Sequence, residues 1–143
     1  MKIYFSTDFF AQVTRLIKKA KDGYRSCLED VISTIGNSNI QNILDTNAII
    51  YRNGPLNVLK IRLPNTFKNL SKRDGYRLIA VVNTDVETIT LLYIYPKKGK
   101  YCQDNISKQH IAKLLGNYIN QADAKTIKSF NSDLSRFSDH FKK

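Results

Sequence analysis

Five cations lie in or beside strand-like stretches: Lys60 and Arg62 in VLKIRLP, Arg77 in GYRLIAVV, and Lys97 and Lys98 directly after LLYIYP. Cations gathered on one sheet face bind an anion, and the planar arginine fork suits phosphate. The cluster also changes its own members. A like charge nearby disfavours protonation, so a lysine among arginines falls below its ordinary pKa and becomes available as a base. Arginine keeps its proton, which leaves it to bind an anion and stabilise developing charge. Tyr101, or alternatively Tyr95, is the aromatic candidate beside the last of these cations.

The elements that carry them are readable by period. Residues 58–63, 76–83 and 87–95 are strand candidates, and NTDVE makes a tight hairpin between the last two. In the first, Leu59, Ile61 and Leu63 share one face while Val58, Lys60 and Arg62 share the other. The second is apolar on both faces except at Arg77, which predicts a central strand. Two readings compete for Lys60 and Arg62. They form a site, or they are the wet side of a half-exposed strand, where cations discourage edge pairing. Arg77 resists the second reading, because a charge in a central strand needs a partner or a ligand.

Ahead of these strands, KIYFS predicts a short first strand, with Ser6 or Thr7 capping a helix marked by Phe10, Val13, Ile17 and Ala20. Tyr24, Leu28, Val31, Ile32 and Ile35 mark a second helix that stops at Gly36. In residues 37–57, NIQNILD suggests a helical turn and AIIYR a short strand. After PKKGKYCQDN, Ser107 caps a helix with Ile111, Leu114, Leu115, Tyr118 and Ile119 as its stripe, and Ile106 and Ile111 sit where a hydrophobic staple belongs. Ile127, Phe130, Leu134, Phe137 and Phe141 predict a last amphipathic helix. The sum is an α+β domain: an N-terminal strand and two-helix hairpin, a three-stranded antiparallel meander, and C-terminal helices. Helices on one face of the sheet are the simplest assembly.

The 143 residues carry 23 Lys+Arg against 12 Asp+Glu, a net charge of +11 that points to a polyanionic or acidic partner. No apolar run approaches the roughly 20 residues of a membrane span. Asp8 falls where a signal peptide needs its apolar region, so a cytoplasmic protein is expected. Cys27 reads as core and Cys102 as a chance thiol, without metal-ligand spacing. His110 and His140 read as surface residues, and glutamate occurs only at Glu29 and Glu87.

The segments VLKIRLP, GYRLIAVV, ETITLLYIYPK and NISKQHIAKLL, in that order, resemble the RelE/ParE superfamily of type II toxins, especially its RelE and HigB branches. The family pattern is a Lys-x-basic strand, a Gly-aromatic-Arg strand, a strand ending in a basic residue, and a short helix. Here those are Lys60-Ile61-Arg62, Gly75-Tyr76-Arg77, Lys97 and residues 107–119. The resemblance covers roughly residues 2–120 and implies a RelE-like toxin domain over 1–120. Residues 121–143 are expected as a C-terminal helical extension packed on the same domain. The chain departs from the family core through residues 37–57 and 121–143, and Lys97 stands where some members have arginine.

The resemblance implies the toxin of a toxin–antitoxin pair that inhibits translation by cutting mRNA on the ribosome. The ParE branch instead implies a non-enzymatic inhibitor of DNA gyrase, and a third possibility is an inactive RNA-binding homologue. Either kind of toxin is held inactive by an antitoxin, here expected to be acidic and encoded next door. RNA cleavage without a metal or other cofactor needs a base for the 2′-hydroxyl, charge stabilisation at phosphorus, and an acid for the 5′-oxygen. Lys60 is the candidate base, and Arg62 and Arg77 the phosphate binders. Lys97 or Lys98 would hold the phosphate or supply the proton, and Tyr101 would stack on a base or orient the 2′-hydroxyl. Lys68, Lys72, Arg73, Lys98 and Lys100 are candidates for salt-sensitive RNA backbone contacts.

Overall fold

Ser6 starts the first helix: its Oγ accepts the Phe9 N–H at 3.2 Å and its carbonyl accepts the Phe10 N–H at 3.1 Å. The computed structural model describes residues 1–19, 23–123 and 128–129. Strand β1 (Lys2–Phe5) leads into α1 (Thr7–Lys19), followed by α2 (Cys27–Gly36) and α3 (Ile40–Thr46). Then come β2 (Ala48–Asn53), β3 (Leu56–Leu63), a 3-10 turn (Thr66–Lys68), β4 (Tyr76–Asn83) and β5 (Thr88–Pro96). Helix α4 (Lys108–Asp123) and a two-residue strand β6 (Lys128–Ser129) follow.

The meander β3–β4–β5 is antiparallel, and β4 is central, as its two apolar faces predict. The sheet is larger than the expected N-terminal strand and three-stranded meander. Its order is β2-β3-β4-β5-β1-β6, and β1 joins β5 in parallel, so the sheet is mixed. Helix α3 and strand β2 fulfil the helical turn and short strand expected in 37–57. Helix α2 begins at Cys27 rather than Tyr24, because Tyr24 lies in the preceding turn, where its carbonyl accepts the Cys27 N–H at 3.1 Å. The predicted C-terminal helix lies outside the described residues, except that Lys128–Ser129 pair with β1 as strand.

Helices cover both faces of the sheet, not one. Strand β4 is buried along both faces, so apolar surface on each side has to be removed from water. Phe9, Val13 and Leu16 of α1, Val31 and Ile35 of α2 and Ile43 of α3 pack over Leu59, Ile61, Leu78 and Leu91. On the other face, Ile106 and Leu114 cover Val58, Ile79, Val81 and Leu92, with Ile111 alongside as the expected staple. The row of Arg62 and Arg77 lies beyond that second cluster.

Two buried polar residues fix the β3–β4 connection. Asp30 on α2 accepts the Ser26 and Thr66 hydroxyls, each at 2.7 Å, and the Thr66 N–H at 3.1 Å. Asn65 donates to the Gly23 carbonyl at 2.8 Å and accepts the Lys68 N–H at 3.3 Å. Gly75 re-enters the sheet against the outgoing chain. A Cβ there would stand 2.1 Å from the Leu63 carbonyl oxygen, an approach that only glycine permits.

Candidate anion-binding site

Register decides which side chains meet. Arg62 is paired directly with Arg77, and Arg77 with Tyr95, so the three form a row on one face. Lys60, two residues from Arg62 and opposite Ile79, shares that face. Lys60, Arg62, Arg77, Tyr95 and Lys97 line one cavity of about 470 Å³. Its remaining walls are the α3–β2 junction, Thr46 to Ala48, and the loop residues Asp104 and Asn105. The four expected cationic members of the site are thus brought together.

The central arginine has a partner that sequence does not show. Its Nη1 donates to the carbonyls of Lys72 at 2.9 Å and Tyr76 at 3.1 Å, and its Nη2 donates to that of Arg73 at 2.8 Å. Arg77 is 8% exposed, and backbone carbonyls supply its hydrogen bonds in place of a carboxylate. It therefore ties down the basic 72–73 loop while its side chain still lines the cavity.

Burial, then the charges of Arg77, Lys97 and Arg62, lower the pKa of Lys60. That is the direction expected for a lysine among like charges. Its Nζ donates to Asn105 Oδ1 at 2.8 Å. Lys97 Nζ donates to the Asp104 carbonyl at 2.5 Å. Burial and then Arg62 lower the pKa of Arg77, against the opposing effects of Tyr95 and Asp74. Burial raises the pKa of Tyr95 despite Arg77, so its phenol is a proton-bearing donor at neutral pH.

Tyr101 is not at this cavity. Its ring packs with the α1–α2 layer, 6.4 Å from Tyr24, and the Arg15 guanidinium lies 4.7 Å from its centroid. Tyr24 reinforces that position by accepting the Tyr101 N–H at 3.0 Å while donating to the Lys98 carbonyl at 3.0 Å. Tyr95, the alternative aromatic, occupies the site instead.

The five peripheral cations are exposed and lie outside the cavity. Lys98 and Arg73 stand 4.0 and 3.9 Å from the Asp74 carboxylate. Lys68 lies near the Phe67 ring and Lys100 near that of Tyr101, at 6.0 and 5.8 Å. Lys72 lines a separate cavity of about 150 Å³ that shares Arg62 with the larger one. His110 meets the Tyr93 ring edge-on at 4.6 Å and does not line the cavity, and His140 lies outside the described residues.

Sequence reasoning missed Asp104, Asn105 and the Thr46–Ala48 wall. For Asn105 a signal exists: it directly precedes the staple residue Ile106 and the helix-capping Ser107. Among the described residues, no three His, Cys, Asp or Glu gather as a metal site, and no helix is long and apolar enough to cross a membrane. No family model, curated protein or solved structure matches the chain.

Proposed function

We propose that the protein is a RelE/HigB-like toxin: an mRNA endoribonuclease, ribosome-dependent and cytoplasmic, that inhibits translation. The convergence of Lys60, Arg62, Arg77 and Lys97 on one cavity carries this reading. In it, neutral Lys60 takes the 2′-hydroxyl proton, and the attacking oxygen forms a bond to phosphorus as the 5′-oxygen leaves. Arg62 and the cavity-facing edge of Arg77 hold the phosphate oxygens. Lys97 or the Tyr95 phenol returns a proton to the departing oxygen. Tyr95 replaces Tyr101 in this scheme because of where each ring lies. The net charge of +11 suits both RNA and an acidic antitoxin partner.

One observation favours a second reading. Arg77 already donates to three backbone carbonyls, which is what a scaffold arginine does in a face that binds RNA without cutting it. Mapping mRNA 5′ ends in a translating extract separates the two readings. New ends that vanish in Lys60→Ala and Arg62→Ala support the nuclease. Intact mRNA with retained RNA binding supports the binding module. Intact mRNA with blocked gyrase supercoiling transfers the protein to the ParE-like class.

A further inference from the structure

Asn105 belongs to no helix or strand, yet its side chain is closely placed. Its Oδ1 accepts the Lys60 ammonium at 2.8 Å and the Ile106 N–H at 2.9 Å. Two donors converge on one atom, and an amide nitrogen could accept neither, so the orientation of the amide is determined. The backbone there is anchored on its far side. Ile106 is 7% exposed within the cluster of Leu114 and Tyr95, and Ser107 Oγ caps α4 by accepting the His110 N–H at 3.0 Å. The start of a helix thus delivers an amide oxygen to a lysine 45 residues earlier in the chain.

The chemical type of that acceptor matters. The charged and titratable groups around Lys60 are Arg62 on its own strand, Arg77 on β4, Tyr95 on β5, and Lys97 and Asp104 beyond it. The α3–β2 wall of Thr46, Asn47 and Ala48 adds none. An aspartate at position 105 would accept the same two N–H groups. It would also set a full negative charge against the ammonium and hold its proton. An asparagine directs the amine without that charge. We propose that Asn105 is the positioning residue for Lys60, fixing the direction of its amine in the cavity through a neutral acceptor. The consequence for cleavage rests on the ribonuclease reading; the effect on the lysine does not.

Asn105→Asp is the decisive variant, because it keeps the shape and both hydrogen bonds. Lysine labelled with 13C at Cε, with the Lys60 signal assigned through Lys60→Arg, reports its titration in the free protein by NMR. In Asn105→Asp, Lys60 titrates about one pH unit or more higher than in the wild type. The low-pH limb of RNA cleavage moves up by the same amount. Asn105→Ala releases the amine and lowers kcat by about tenfold to a hundredfold, with KM held. A Lys60 that titrates identically in the wild type and Asn105→Asp overturns the proposal, whether or not RNA is cut. A shifted titration with no cleavage by any form, wild type included, leaves the positioning role standing and sinks the ribonuclease reading.

Discussion

Arg62 and Arg77 are direct cross-strand partners, two cations facing each other across adjacent antiparallel strands. Like charges so placed repel, and such pairs are destabilising by about 0.2–1 kcal/mol. The two differ in what else they do: Arg62 is exposed, whereas Arg77 holds three carbonyls. Arg62→Gln should therefore leave stability unchanged or raise it by a few tenths of a kcal/mol, while weakening RNA binding. Arg77→Ala should lose about 1–3 kcal/mol through the unpaired carbonyls of Lys72, Arg73 and Tyr76. Urea unfolding and RNA titration of both variants check the contrast. Equal losses of stability would show that the carbonyl contacts contribute nothing.

Lys60 gives a pH signature. Burial and three cations lower its pKa in the fold, so between that value and the ordinary one of about 10.4 the unfolded chain binds more protons. Stability contributed through Lys60 therefore rises with pH across that window. Below both values the cost of charging the partly buried amine among its cations is fully present. Lys60→Met removes the cost, so it should exceed the wild type in stability near neutral pH and lose that advantage toward about pH 10. Urea midpoints at both ends of the range measure it; an advantage that grows with pH contradicts the sign.

Gly75→Ala should be more damaging than its single added methyl suggests. The new Cβ meets backbone on three sides, with the Leu63 oxygen at 2.1 Å and the Asn65 nitrogen and Pro64 carbon at 2.7 Å. Backbone cannot rotate aside as a side chain can, so β4 has to shift against β3, at about 1–3 kcal/mol or more. That shift also displaces Arg77 from Arg62. The expected result is a lower urea midpoint together with weaker RNA binding.

Asp30→Ala tests the anchor of the β3–β4 connection. It frees the Ser26 and Thr66 hydroxyls and the Thr66 N–H, at about 1–3 kcal/mol. Hydrogen exchange should quicken across residues 64–74, with the β4 amides slowed less than in the wild type only in proportion to the global loss. Acceleration spread evenly over the sheet would mean that Asp30 supports the whole core rather than this loop.

The central strand is legible because burial on two sides demands apolar residues on two sides: residues 76–83 are apolar on both faces except at Arg77, and they form the central β4. The common face of Lys60 and Arg62 followed from parity in a single strand. The aromatic member did not, because that depends on register between strands. The pairing of β4 with β5 shifts between Ile79 and Ala80, and only the assembled ladder puts Tyr95 across from Arg77. The partners of Arg77 were hidden for a related reason. Backbone carbonyls carry no residue signature, so nothing in Lys72 or Arg73 marks them as acceptors. Cover for the second face was implied by β4 itself, whose Ile79 and Val81 required it as much as Leu78 did.

Strand β1 pairs with residues that emerge late: Lys2 stands beside Thr88 and Phe5 beside Leu91. The four residues of β1 have no place in the sheet until β5 exists, and β5 needs β4 to lie against. Strand β1, synthesised before the other strands of this sheet, is thus docked late, after a long loop has closed, and closing such loops slows folding. Until then the β5 edge, with its unpaired backbone N–H and C=O groups, faces water during translation. A chaperone or binding partner that meets the nascent chain meets that edge before β1 covers it.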